Sequence, residues 1–218
     1  MRKLILFILF LSTVNSVILP DKIVAAEQTE SPSLWVKIYR SLLKRKEPPV
    51  EPRNGGSRPL GTVCMISPDA PPVTRIVWSD RPLFLWHGEA TTIEVMTVDE
   101  KIKLWDKTVN KIQDITYTGE PLQLGKTYKW VVNSNQFVTF KIIDKQERDR
   151  ITQDLQNIEN KLKSTGANLE AIASAKANYF AENNLWIDVL QQIYSVPKPS
   201  AELKAFRQDI VHKLCRPV

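Results

Sequence analysis

The sequence predicts an α+β protein, a β-sandwich followed by an array of four helices, and three observations carry that reading. Residues 60–143 hold eight short β-type runs separated by turn residues. Beyond Ile143 the apolar spacing changes to the three-and-four of helices and stays so to Leu214. Pro, Gly and charged residues cluster in Glu47 to Pro59, EPPVEPRNGGSRP, the composition of a linker. The chain accordingly divides into residues 1–26, 27–59, 60–143 and 144–218.

With 43% hydrophobic and 25% charged residues, the 218-residue chain has the composition of a globular protein, long enough for one or two cores. Its first residues differ. Arg2 and Lys3 precede an unbroken apolar run, Leu4 to Leu11, and Val24-Ala25-Ala26 offers small residues before Glu27. That is the anatomy of a secretory signal peptide, expected to be cleaved after Ala26, with Ser16 as the second choice. The alternative is an uncleaved anchor, but Ser12, Thr13, Asn15 and Ser16 interrupt the run well short of the roughly 20 apolar residues a span requires. The mature protein is expected to be soluble and secreted or periplasmic. Most of the formal +6 charge falls in the leader and in residues 27–59, leaving residues 60–218 close to neutral. No strongly basic folded domain awaits nucleic acid.

Residues 33–46 predict a short amphipathic helix. Leu34, Trp35, Ile38, Tyr39 and Leu42 share one face, with Lys37, Arg40 and Lys44 opposite, and Pro48 and Pro49 end it. Trp35, Lys37, Arg40 and Lys44 are the candidates for contact with a partner or with a membrane surface. The alternative is a helix packed on its own domain.

In the β region the expected strands are Leu60–Ile66, Arg75–Trp78, Leu83–Trp86, Thr92–Thr97, Lys103–Thr108, Gln113–Tyr117, Thr127–Val132 and Gln136–Ile143. Alternation gives each one buried face: Tyr128, Trp130 and Val132 oppose Lys129, while Ile93 and Val95 oppose Glu94. Leu124-Gly125-Lys126-Thr127-Tyr128 sets a tyrosine at a strand start after a Gly turn, like the tyrosine corner of immunoglobulin and fibronectin type III sandwiches. Asn133-Ser134-Asn135 reads as a tight hairpin. The stretch Arg75 to Trp86, RIVWSDRPLFLW, is expected to seat Phe84 and Trp86 in the core, with Asp80 and Arg81 fixing the bend rather than meeting a substrate.

The helices follow in order. Asp144 and Glu147 make a capping-box-like start, and Ile151, Leu155, Ile158 and Leu162 stripe a long helix ending at Ser164-Thr165-Gly166. Further helices cover Leu169–Glu182, Leu185–Tyr194 and Ser200–Leu214, with short turns that imply antiparallel neighbours. Ala177, Phe180, Trp186, Val189, Ile193 and Val196 are spaced as in one tetratricopeptide-like hairpin, and generic helical-hairpin packing is the alternative. Trp186 and Tyr194 are the binding candidates of this array.

Export makes Cys64 and Cys215 a disulfide pair rather than metal ligands, with two buried free thiols as the alternative. Closing a loop of that length is worth about 5 kcal/mol at best in the chain-entropy picture.

The segments GTVCMISP, RIVWSDRPLFLW, ITYTGEPLQLGKTYKW and ANYFAENNLWIDVLQQIY together resemble a family of exported cyanobacterial proteins, the domain of unknown function nine-twenty-eight. The resemblance spans residues 60–215. Its motifs are structural, and it brings no catalytic residues with it.

Chemistry is thinly supplied. His87 and His212 are the only histidines and neither accompanies a nucleophile elbow or a reactive cysteine. Asp99-Glu100 is the nearest approach to a metal cluster and Gly55-Gly56 makes no phosphate loop, so no catalytic residue, metal or cofactor is assigned. A catalytic carboxylate pair, whose members meet only in space, stays open. The leading expectation is a non-enzymatic, exported interaction protein that binds another protein of the cell envelope through its helical array or a sheet edge. The alternative is a carbohydrate-binding module with Trp105 on a sandwich face. Trp105 neighbours Leu104, so one of the two points outward unless the strand is covered on both sides.

Overall fold

A computed structural model describes residues 33–44, 63–69 and 75–215. The leader at 1–26, the linker Glu47–Pro59 and the first residues of the first expected strand lie outside the described residues. Within them the protein is α+β, with two sheets and five helices.

The first helix, α1, is Leu34–Lys44. The strands are β1 Cys64–Ser67, β2 Ile76–Val77, β3 Leu83–His87, β4 Thr92–Thr97, β5 Lys103–Thr108, β6 Asp114–Thr116, β7 Thr127–Val132 and β8 Gln136–Ile142. Helices α2 Lys145–Ser164, α3 Leu169–Glu182, α4 Trp186–Ser195 and α5 Ala201–Leu214 complete the chain.

Strands β1, β3 and β6 form one sheet, and β2, β8, β7, β4 and β5 form the other, in those orders. The first stretch of β structure divides between them: β1 runs antiparallel to β3, whereas β2 runs parallel to β8. Phe84 of β3 ties the sheets together, its ring 5.2 Å from Trp130, 5.9 Å from Trp105 and 6.1 Å from Phe140. At the start of β7, the Gln123 N–H donates to Tyr128 Oη at 2.9 Å, pinning the preceding turn to the strand. Asn133 and Ser134 both adopt positive φ, 49° and 56°, which gives the β7–β8 hairpin the twist its strands need.

The expectation of one buried face per strand fails at β3. Phe84 and Trp86 face the five-stranded sheet, while Leu83 and Leu85 join the core formed by the helices. β3 is therefore covered on both sides, and Leu83 to Trp86 lack alternation for that reason.

The helices have the expected ends. Asp144 accepts from the Glu147 N–H, Asn168 from Ala171 and Ser200 from Leu203, each capping a helix N-terminus. Gly166, at φ +76°, closes α2 by turning its backbone so that Ala167 N–H reaches Leu162 O at 3.0 Å. Neighbours α2, α3, α4 and α5 pack in sequence order, and α1 lies against α3 and α5.

The two parts are locked as well as packed. Ile187 of α4 belongs to the core between the sheets. Cys64 and Cys215 form a disulfide with Cα atoms 5.8 Å apart, joining β1 to the end of α5. Asp188 of α4, only 1% exposed, accepts from Trp78 N–H at 2.8 Å and Ser79 N–H at 3.1 Å. Arg148 of α2 donates to Trp78 O and to Asp80, both at 3.0 Å, and lies over the Trp78 ring. Residue 143 thus marks a change of secondary structure and not a gap in packing.

Candidate functional site: a groove between the first and last helices

The repeat Trp35, Ile38, Tyr39, Leu42 puts four side chains on one face of α1, and that face meets α3 and α5. Trp35 anchors it. Its ring is 4% exposed and lies 6.2 Å from Phe206, and its Nε1–H donates to Glu170 Oε1 at 3.2 Å. Glu170 also accepts from Ser200 N–H at 2.8 Å and Ser200 Oγ–H at 2.6 Å, so one carboxylate holds the start of α5 and the start of α1 together. Burial works to raise the Glu170 carboxyl, but the Ser200 and Trp35 donors together outweigh it and hold it below the ordinary value.

Beside this anchor a groove of about 360 Å³ opens between α1 and α5. Trp35, Val36 and Tyr39 line it from α1, and Glu202, Ala205, Phe206 and Asp209 from α5. The α5 residues follow the three-and-four spacing of one helical stripe. Tyr39 meets Phe206 edge to face at 5.1 Å and donates its hydroxyl proton to Asp209 Oδ2. Ser33 Oγ–H donates to Glu202 Oε1. The described lining therefore combines three aromatic rings with two carboxylates and carries no cationic side chain.

The other candidates fall elsewhere. Trp105 is 8% exposed, its ring 5.2 Å from Tyr117 and its Nε1–H donating to Thr118 Oγ1 at 3.1 Å. The neighbour that points outward is Leu104, 39% exposed, because a bulge opposite Val95 and Met96 inserts it as an extra residue in β5. Of the six tryptophans, five are buried and Trp78 lies between Phe180 and Arg148, so none of the four within residues 60–143 has an open indole face to stack on a sugar ring. Trp186 is 3% exposed in the helical core. Tyr194 is half-buried beneath Arg207, 5.2 Å from its ring, and burial pushes its hydroxyl up to about 12. Arg207 meanwhile caps α4 by donating to Ile193 O and Val196 O.

Lys37 and Arg40 are exposed, as the amphipathic pattern requires, and the Lys44 side chain lies outside the described residues. The apolar face of α1 that a membrane would take up is occupied by α3 and α5. His87 ends β3 and His212 sits in α5, both exposed. Among the described residues no three His, Cys, Asp or Glu side chains gather as metal ligands do, and no helix is long and apolar enough to cross a membrane.

Glu202 and Asp209 were not singled out in the sequence, and their only signal is the stripe they share with Phe206 in a helix otherwise read for its core. No protein-family model, curated protein or solved structure matches the chain.

Proposed function

We propose that the protein is an exported interaction module that binds a polypeptide partner of the cell envelope in the groove between α1 and α5. The observation that carries this reading is the groove itself: an apolar, aromatic-walled cleft of about 360 Å³ with polar groups at defined places, held by a buried anchor and not by loops. Export rests on the leader-like residues 1–26, and the Cys64–Cys215 bond is compatible with an oxidising compartment.

The scaffold is of a kind often used for binding. Its strand order, a first strand divided between two sheets and the Tyr128 bond to the Gln123 backbone support an immunoglobulin-like sandwich. The packing of α3 on α4 supports a single tetratricopeptide-like hairpin. The resemblance to the exported cyanobacterial family agrees with this reading and assigns no activity of its own. The groove takes one wall, α5, from the helical array expected to bind and the other from α1, and it is favoured over the sheet edge. Edge strand β5 carries Lys103, Asp106 and Lys107 and a bulge at Leu104, the devices that discourage strand addition.

Ala205 is exposed on the groove wall, and Ala205→Trp fills the cleft without touching the core. Crosslinking in envelope extracts should recover a partner with the intact protein and lose it with the variant. Equal recovery of every partner by both proteins sinks the groove reading.

A further inference from the structure

We infer that the partner offers the groove a cationic side chain, a lysine or arginine flanked by apolar residues; this rests on the groove being the protein-binding surface. Three features of the cleft converge on that chemistry. Trp35, Tyr39 and Phe206 supply aromatic surface, which attracts an ammonium or guanidinium through the ring quadrupole and suits the aliphatic stem that carries it. Glu202 and Asp209 stand on the same α5 stripe as Phe206, and among the described residues neither is ion-paired. One oxygen of each carboxylate is held by a neutral hydroxyl, Ser33 for Glu202 and Tyr39 for Asp209, which orients the group without neutralising it.

Charge then decides between occupants. A wholly apolar segment would strip water from the two carboxylates and return nothing for it. An acidic segment or an anionic lipid surface would meet like charge. A lysine or arginine pairs with one of the carboxylates and lays its methylenes on the rings. The cleft's volume is near the lower end of ligand-sized pockets, room for one or two side chains with their backbone and not for a folded domain.

The test uses the full mature protein and three labelled twelve-residue probe peptides with one leucine frame and Lys, Gln or Glu at the polar positions. Fluorescence anisotropy should show the Lys peptide binding about tenfold tighter than the Gln peptide and the Glu peptide weakest, with the Lys advantage shrinking as salt rises. In the double variant Glu202→Gln, Asp209→Asn, which keeps acceptors for Ser33 and Tyr39, the Lys and Gln peptides should bind alike. Ala205→Trp should abolish both, and a circular dichroism spectrum and urea midpoint like those of wild type confirm that each variant is folded. If the Gln peptide binds wild type as well as the Lys peptide does, the charge inference is wrong while the groove reading stands. Failure of the Lys peptide to bind overturns it as well, as does a dimer dissociated by Ala205→Trp, which would give the cleft to a second copy. Partner recovery with Ala205→Trp needs no peptide and judges the groove reading separately.

Discussion

Asp188 shows how one side chain can join two layers. It sits in the first turn of an otherwise apolar helix segment, Trp186 to Leu190, and reaches the backbone of Trp78 and Ser79. Burial pushes its carboxyl up to about 7, against the opposing effect of the two backbone donors and of Arg148. The folded-state value is thus raised above the unfolded one, so the stability this group contributes is present in full below the ordinary 3.8 and is lost as pH climbs through about 7. The expected outcome is that wild type, measured against Asp188→Asn by urea denaturation, loses a few kcal/mol of relative stability between about pH 4 and pH 8. A difference that is flat with pH, or that grows as pH rises, refutes it. The sequence held a signal for this residue, a lone carboxylate amid four large apolar neighbours. What it lacked was the partner, because backbone N–H groups 109 and 110 positions away leave no mark in composition.

At the scale of elements, the eight strands and the helices were legible because periodicity and turn residues are local properties, and they coincide with the structure to within a few residues among those described. What local patterns do not encode is which faces are covered, and by what. Leu83 to Trp86 is a continuous apolar run because helices cover the second face of β3. Trp105 and Leu104 could not be told apart until the bulge in β5 fixed which of them turns inward. The α1 pattern suited a membrane, a partner or the protein's own core, and its apolar residues Trp35, Ile38 and Leu42 pack with α3 and α5. The candidate groove was the least legible part, since it arises from two helices separated by most of the chain. Its integrity depends on the Trp35 anchor. Trp35→Ala should cost about 3–5 kcal/mol locally and release α1, abolishing hydrogen-exchange protection of residues 34–44 while the strands remain protected. Unchanged protection of α1 would show that other contacts hold it.

The described residues form a five-stranded sheet, a three-stranded sheet and a layer of helices, joined by packing, by Asp188 and Arg148, and by a disulfide spanning a sequence separation of 151. Such a long loop should make the bond matter chiefly through the unfolded state. The double variant Cys64→Ser, Cys215→Ser is therefore expected to fold to the same secondary structure but to lose about 2–5 kcal/mol, seen as a lower urea midpoint. A midpoint within error of wild type would assign the stability of the joint to packing alone.

The position of that bond also sets an order of events. Cys64 emerges early in synthesis or translocation and cannot meet Cys215 until residue 215 follows it, by which time all the described strands and helices have passed. Closure therefore requires that both sheets and all five described helices have been made. A product cut short before residue 215 keeps Cys64 without its partner, open to capture by a thiol-exchange catalyst, whereas the bonded pair offers no free thiol.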